Sequence, residues 1–417
     1  MSFAGILRGR CPTVGTGKIF HTEEGGSTPP FWVGPGLPPN QDPPSWNASM
    51  ADVNAVAPMR SCAGGWSRVA CAVDATEDGE PLDGSGPFCD KVIADDAVEK
   101  LELAAARRPF FVAVGLRKPH TPWRYPSPFL GHQSDVAAHG ALDPSVAPIA
   151  LSSMTTRGFQ ADPFSPLPRA NGSAFRRHYY AATAWMDSQL GRVLDALDAT
   201  GLASSTLVVL HGDHGWSLGE HGAWQKFTEW EAGLRVPLIV ADPTRPATHG
   251  ERSSALVELV DVFPTMAELA GAPLDEAVDG RSFAAVLEAD PWNATAGGRA
   301  EALAEYPRCP SDEANASDYW RDNVCEFVER SRFFAMGASL RVDAWRYTEW
   351  RRWLGAALEP DWSPSGLLAR ELYGHGACDG ASCFDDYENA NEAADRPDVV
   401  GELAGRLRRA YDERVRA

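Results

Sequence analysis

Two short apolar runs constrain this chain more than any other feature. Residues 109–115 (Pro-Phe-Phe-Val-Ala-Val-Gly) and 205–210 (Ser-Thr-Leu-Val-Val-Leu) lack the polar alternation of a strand with one wet face, so both read as short, fully buried strands. Each follows an amphipathic helical stretch. Residues 93–107 place Ala94, Ala97, Val98, Leu101 and Ala105 near one face; residues 175–197 align Tyr179, Ala182, Met186, Leu190, Val193 and Leu197, with Gly201 as the stop. A helix feeding a buried strand, twice over, is the rhythm of a parallel sheet covered on both sides. Residues 236–241 supply a third strand and 255–270 a further helix. The fold class is therefore α/β, a mainly parallel sheet flanked by helices, with 110–114 and 206–210 central and buried.

The organisation changes along the chain. The first ninety residues are irregular, and the Pro- and Gly-rich stretch 25–45 suits a long surface loop or the wall of a site. Residues 290–310 are rich in Ala, Gly and Pro and mark a boundary. They divide the chain into a larger unit, 1–295, and a C-terminal α+β subdomain, 296–417. In the latter, 333–350 alternates as antiparallel strands do, and 399–415 reads as a terminal helix.

The formal charge of −19 over 417 residues argues against nucleic acid or an anionic membrane as partner. No apolar run is long enough for a membrane span, and the first ten residues hold no apolar signal segment. Three cysteine pairs close short loops: Cys62 with Cys71, Cys309 with Cys325, and Cys378 with Cys383. They read as disulfides, against the alternative of free thiols in a cytosolic enzyme; Cys11 and Cys89 are left over. Four sequons, at Asn47, Asn171, Asn293 and Asn315, tip the balance towards a secretory or lysosome-like compartment.

Three stretches carry chemistry. Asp213 and His214 directly follow the second buried strand, where parallel sheets bind ligands, and a carboxylate beside an imidazole can share a divalent cation. Alone, the pair reads equally well as a helix-capping aspartate and a packed histidine. Lys226 lies twelve residues beyond His214 and can fold back as an anion ligand. The loop after the first buried strand concentrates Arg117, Lys118, His120 and Arg124, stiffened by Pro119, Pro122 and Pro126. A basic loop neutralised by neighbouring acids is the plainer alternative. The third stretch sets Lys18 close to His21 and lacks the spacing of a phosphate-binding P-loop.

Taken together, Gly17-Lys-Ile-Phe-His21, Lys118-Pro-His-Thr-Pro-Trp-Arg-Tyr-Pro126 and Asp213-His-Gly-Trp-Ser-Leu-Gly-Glu-His-Gly-Ala-Trp-Gln-Lys226 resemble, in order, three signature blocks of the iduronate-2-sulfatase group within the alkaline-phosphatase superfamily. Residues 256–265 and 280–283 resemble the closing part of a sulfatase domain. The neighbourhoods of Tyr306 and of residues 347–350 resemble its small C-terminal subdomain. The resemblance implies an alkaline-phosphatase-like fold and removal of sulfate from a sulfated glycan such as a glycosaminoglycan. It implies one Ca²⁺, held partly by Asp213 and His214, and a formylglycine nucleophile made from a cysteine. Lys18 and His21 would contact nucleophile and sulfate, His120 and Lys226 would grip sulfate oxygens and assist the leaving group, and Trp216 would line the sugar pocket.

The departures are specific. The family's nucleophile motif, C-x-P-S-R or C-x-A-x-R, begins at none of the eight cysteines, and the N-terminal aspartate pair that completes the Ca²⁺ site is absent. Phe227 replaces the tyrosine expected after the active-site lysine. The reading adopted is a sulfatase whose sequence here lacks its N-terminal segment, so that these residues alone are inactive. The alternatives are a non-catalytic pseudosulfatase that binds sulfated sugar, and a phosphatase or phosphodiesterase of the same superfamily.

Overall fold

The computed structural model describes residues 11, 13–18, 70–83, 86–131, 143–151, 167–272, 274, 278–288, 297–309, 325, 328–376 and 388–415. Parallel pairing is present as anticipated. Strand β1 (Thr13–Gly17) runs parallel to β3 (Phe111–Gly115), with Gly17 opposite Gly115, and β2 (Ala70–Val73) runs parallel to β4 (Trp123–Pro126). Helix α1 (Cys89–Ala105) and helix α2 (Arg169–Ala199) pack on each other. Their meeting face is the one that the apolar spacing marks: Ala94, Ala97 and Leu101 meet Val193 and Leu197, with Val112, Val114 and Val208 against the same cluster. Gly201 ends α2 in the left-handed region (φ +67°), where a glycine pays no Cβ penalty.

The two buried runs differ from expectation. Strands β3 and β5 (Val208–His211) are half-buried rather than fully buried, and His211 is exposed. Among the described residues each has one paired neighbour, and the partner of β5, β6 (Leu238–Ala241), is antiparallel to it. Helices α1 and α2 cover one face, whereas Ile239 on β6 is 59% exposed. An apolar run reports that a strand lacks a polar face; it does not report how fully the strand is covered. The helix anticipated over 255–270 also shortens, to α3 (Val262–Leu269) behind a 3-10 turn at Leu259–Asp261. The Asp261 carboxylate accepts the Glu258 backbone N–H at 3.0 Å and that of Arg281 at 2.7 Å, which fixes the entry there.

The C-terminal part matches its reading. Strands β7 (Ala302–Arg308), β8 (Ala335–Arg341), β9 (Trp345–Leu354), β10 (Glu359–Pro360) and β11 (Leu367–Gly374) form an antiparallel sheet. Helix α4 (Pro397–Val415) lays Val400, Leu403, Leu407, Ala410 and Tyr411 on Leu340, Tyr347 and Leu372 of that sheet. A second cluster joins the sheet to the larger part: Ala335, Trp350 and Tyr373 pack with Ile149, Leu151, Ala223 and Trp230. Cys309 and Cys325 form a disulfide with Cα atoms 5.2 Å apart. Cys71 is disulfide-bonded; Cys62, Cys378 and Cys383 lie outside the described residues. Cys11 and Cys89 are free and buried. No helix among the described residues is long and apolar enough to cross a membrane.

Candidate functional site

The parallel pairing of β1 with β3 brings the first two motif loops together. The Lys18 backbone N–H donates to the Gly115 carbonyl at 2.7 Å. A Cβ at Gly115 would stand 2.0 Å from the Lys18 carbonyl oxygen, so only glycine allows this approach. Lys18 thus leaves β1 beside the loop that carries His120. That loop is tied down by a carboxylate the sequence does not advertise. Asp90, buried in the first turn of α1, accepts backbone N–H groups from Arg117 at 2.6 Å and Lys118 at 3.1 Å. Lys118 turns inward, its Nζ donating to the carbonyls of His120 at 2.9 Å and Pro122 at 2.8 Å. Lys118 therefore braces the loop from within.

From β5 the chain passes into residues 213–226. Gly219 (φ +109°) and Gly222 (φ +70°) allow the turns, and the Ser217 N–H donates to the Gln225 carbonyl at 3.0 Å to close the loop. His221 stacks on Trp230 with ring centres 4.0 Å apart. This folding returns Lys226 to the start of the loop, where its Nζ stands 3.1 Å from His214 Nε2. The Lys18 ammonium donates to Asp213 Oδ2 at 2.9 Å, and His214 Nε2 lies 3.8 Å from the same oxygen. Lys18, Asp213, His214 and Lys226 form one connected set across more than two hundred residues of sequence.

The electrostatics of the set are coherent. Burial raises the Asp213 carboxyl, but His214 and Lys18 outweigh it and bring it down to about 2. Burial, helped by the charges of Lys18, Lys118 and Lys226, lowers His120 to about 3, so its imidazole is neutral and within electrostatic reach of both site lysines. Its Nδ1 faces the Thr121 carbonyl, which leaves Nε2 as the lone-pair side. Burial and then Lys226 lower His214 as well, and its Nδ1 faces the Gly215 carbonyl at 2.8 Å. An anionic carboxylate and a neutral imidazole with a lone pair nearby can both serve one cation, so this pair fits part of a metal site. Trp216 is half-buried against the cluster of Trp123, Phe175 and Trp224. His21 lies outside the described residues.

One neighbour went unrecognised as a site group. Tyr179, read only as a core-face position of α2, meets Trp123 edge-on at 5.8 Å. Its phenol is raised by burial, then by Glu220, Tyr180 and Asp213, so it feels the charge of the same carboxylate. A second group of ligand types, Glu231, His375 and Glu388, is buried with its ligand atoms within 4.8 Å of one another. Arg346 Nε donates to Glu388 at 2.6 Å and its Nη2 to Glu231, while Arg341 Nε stands 3.6 Å from Glu231. Two guanidiniums already balance the two carboxylates, so this group is an ion-pair network rather than a place for a cation.

The sulfatase family model matches residues 45–272, more than half of the chain. Iduronate 2-sulfatase of Homo sapiens is 31% identical over 317 residues, covering 64% of this chain and 56% of that protein. Arylsulfatase K of Xenopus laevis is 29% identical over 262 residues, covering 56% of this chain and 46% of that protein. The chain spans about half the length of the curated relatives it matches. Among solved structures, the phosphonate monoester hydrolase of Agrobacterium radiobacter superposes with a TM-score of 0.56 at 22% identity, over 84% of this chain and 64% of the other. At that identity the match speaks for the fold alone.

Proposed function

Because the chain belongs to the sulfatase family, we propose that it serves the hydrolysis of a sulfuric ester, with iduronate 2-sulfate or a related sulfated glycan, such as a glycosaminoglycan unit, as substrate. The observation that carries the reading is the contact of Lys18 with Asp213 and of Lys226 with His214. In a protein of net charge −19, this set gathers cations about one point, as a sulfuryl group in transfer requires. Lys18 and Lys226 hold sulfate oxygens. His120, neutral and with Nε2 as its lone-pair side, can accept a hydrogen bond from a hydroxyl or ammonium at the site; His21 belongs to the sulfate-contacting set by motif. Asp213 and His214 would hold Ca²⁺ together with further ligands, and the bound ion would supply charge stabilisation at the sulfuryl oxygens. Trp216 would offer a face to the sugar.

The formylglycine of the family would supply the nucleophile, and none of the eight cysteines begins its motif. The chain therefore binds sulfate without turning over. The Cys309–Cys325 disulfide supports a secretory, lysosome-like or extracellular location. The test is calorimetric titration of the protein with inorganic sulfate in the presence of Ca²⁺, paired with a sulfate-release assay on a 2-O-sulfated uronate disaccharide. We expect binding that Lys226→Ala weakens at least about tenfold, the scale of one charged oxyanion contact, and no release. Strong turnover by these 417 residues would refute the nucleophile argument; absence of sulfate binding would remove the site.

A further inference from the structure

Lys226 is followed at once by a residue that should not sit comfortably. Phe227 has φ +76°, a left-handed conformation that bulky side chains rarely adopt. Such a conformation persists only where the surroundings over-determine it, and it is found most often near function. Here the surroundings come from the end of β7. Tyr306 stacks its ring on that of Phe227, with centres 5.3 Å apart and planes inclined by 30°. Two residues further on, Arg308 Nη1 donates to the Phe227 carbonyl at 2.9 Å. Arg308 is 2% exposed, and its other donors go to the main chain as well: Nε to Ile149 at 2.8 Å and Nη2 to Ala150 at 2.9 Å. Its guanidinium lies over the Trp350 ring, 4.4 Å from the centre. The planar fork thus ties two segments, residues 149–150 and the Phe227 turn, to β7 through their carbonyls, which a lysine ammonium at the same place could not span. The Lys226 ammonium in turn stands 5.3 Å from the centre of the Phe227 ring, so the turn and the cation are placed together.

We infer that Tyr306 and Arg308 are positioning residues: from the C-terminal sheet they clamp the Phe227 turn and so set where the Lys226 ammonium stands relative to His214. The inference rests on the reading of Lys226 as a sulfate ligand. Neither residue is assigned any contact with sulfate.

The test is a set of inorganic sulfate titrations on the full chain, each with a thermal melt. Arg308→Lys and Tyr306→Leu should each weaken sulfate binding about fivefold, the effect of losing one contact of ordinary net strength, while Tyr306→Phe keeps the stack and the affinity. On a Lys226→Ala background, neither change should weaken binding further; on a Lys18→Ala background, both should. General loosening of the fold would add to both backgrounds alike and would overturn the inference. So would unchanged affinity in variants that melt like the parent. Should Arg308→Lys fail to fold, Tyr306→Leu at the rim of the stack decides the matter alone. If Lys226→Ala itself leaves sulfate binding intact, the functional reading falls and takes this inference with it, a result distinct from failure of the clamp alone.

Discussion

Glu229, three residues beyond Lys226, is 1% exposed, and among the described residues neither of its carboxylate oxygens has a hydrogen-bond partner. Burial raises its carboxyl from 4.5 to about 8, with Glu305 and Glu371 adding to the rise and the Arg308 and Arg346 guanidiniums opposing it. The protonated form is the one that the fold prefers. Its contribution to stability is fully present below about pH 4.5 and is lost as pH rises towards 8. Thermal melts of the parent should therefore fall across that window, and Glu229→Gln, neutral at every pH, should fall less steeply. Parallel pH profiles would show that Glu229 is ionised in the fold. Single residues were unevenly legible. Lys18, Asp213, His214 and Lys226 stood out because short motifs hold them next to glycines and strand ends. Asp90, Glu229 and Arg308 did not, because what makes each matter is a partner far away in sequence.

Elements were legible by period and less so by neighbour. The spacing of apolar residues marked α1 to within about a turn and α2 from six residues after its start, 399–415 read as the helix that became α4, and the alternation in 333–350 marked β8 and β9. It did not show that β5 pairs antiparallel with β6, since register and partner are decided by tertiary contact. Nor did it show the late start of α3, where Asp261 receives Arg299 and the Arg281 backbone. The link between β7 and β8 yields a prediction of its own. The Cys309–Cys325 disulfide closes a loop of sequence separation 16, a size for which cross-linking the unfolded chain is worth about 3 kcal/mol. The Cys309→Ser, Cys325→Ser double variant should lose stability of that order in urea titration. A loss of less than about 1 kcal/mol would mean that the loop is constrained without it.

At the scale of the molecule, the composition break near 295 suggests two units, and we propose 1–295 and 296–417 as parts of one cooperative body rather than independent domains. The reason is the cluster in which Ala223 and Trp230 pack with Ala335, Trp350 and Tyr373. Trp230 is 1% exposed, and cutting the chain at 295 would lay it bare with Ile149 and Leu151. Residues 1–295 expressed alone should aggregate or lack a cooperative melt. A soluble fragment with a sharp transition would establish two independent units.

That shared cluster also bears on how sequence variation in this protein is to be read. The loop from Asp213 to Lys226 carries Lys226 back to His214 and, through Ala223 and the nearby Trp230, packs against Ala335, Trp350 and Tyr373 of the C-terminal sheet. Damage at Trp350 or Tyr373 would reach ligand affinity through the packing behind Trp230, although neither lies near Lys226 in sequence. A map of harmful substitutions should therefore not thin out after residue 226. It should show a second density along β7, β9 and β11, and a screen that scores only residues facing the ligand would file those variants under the wrong cause.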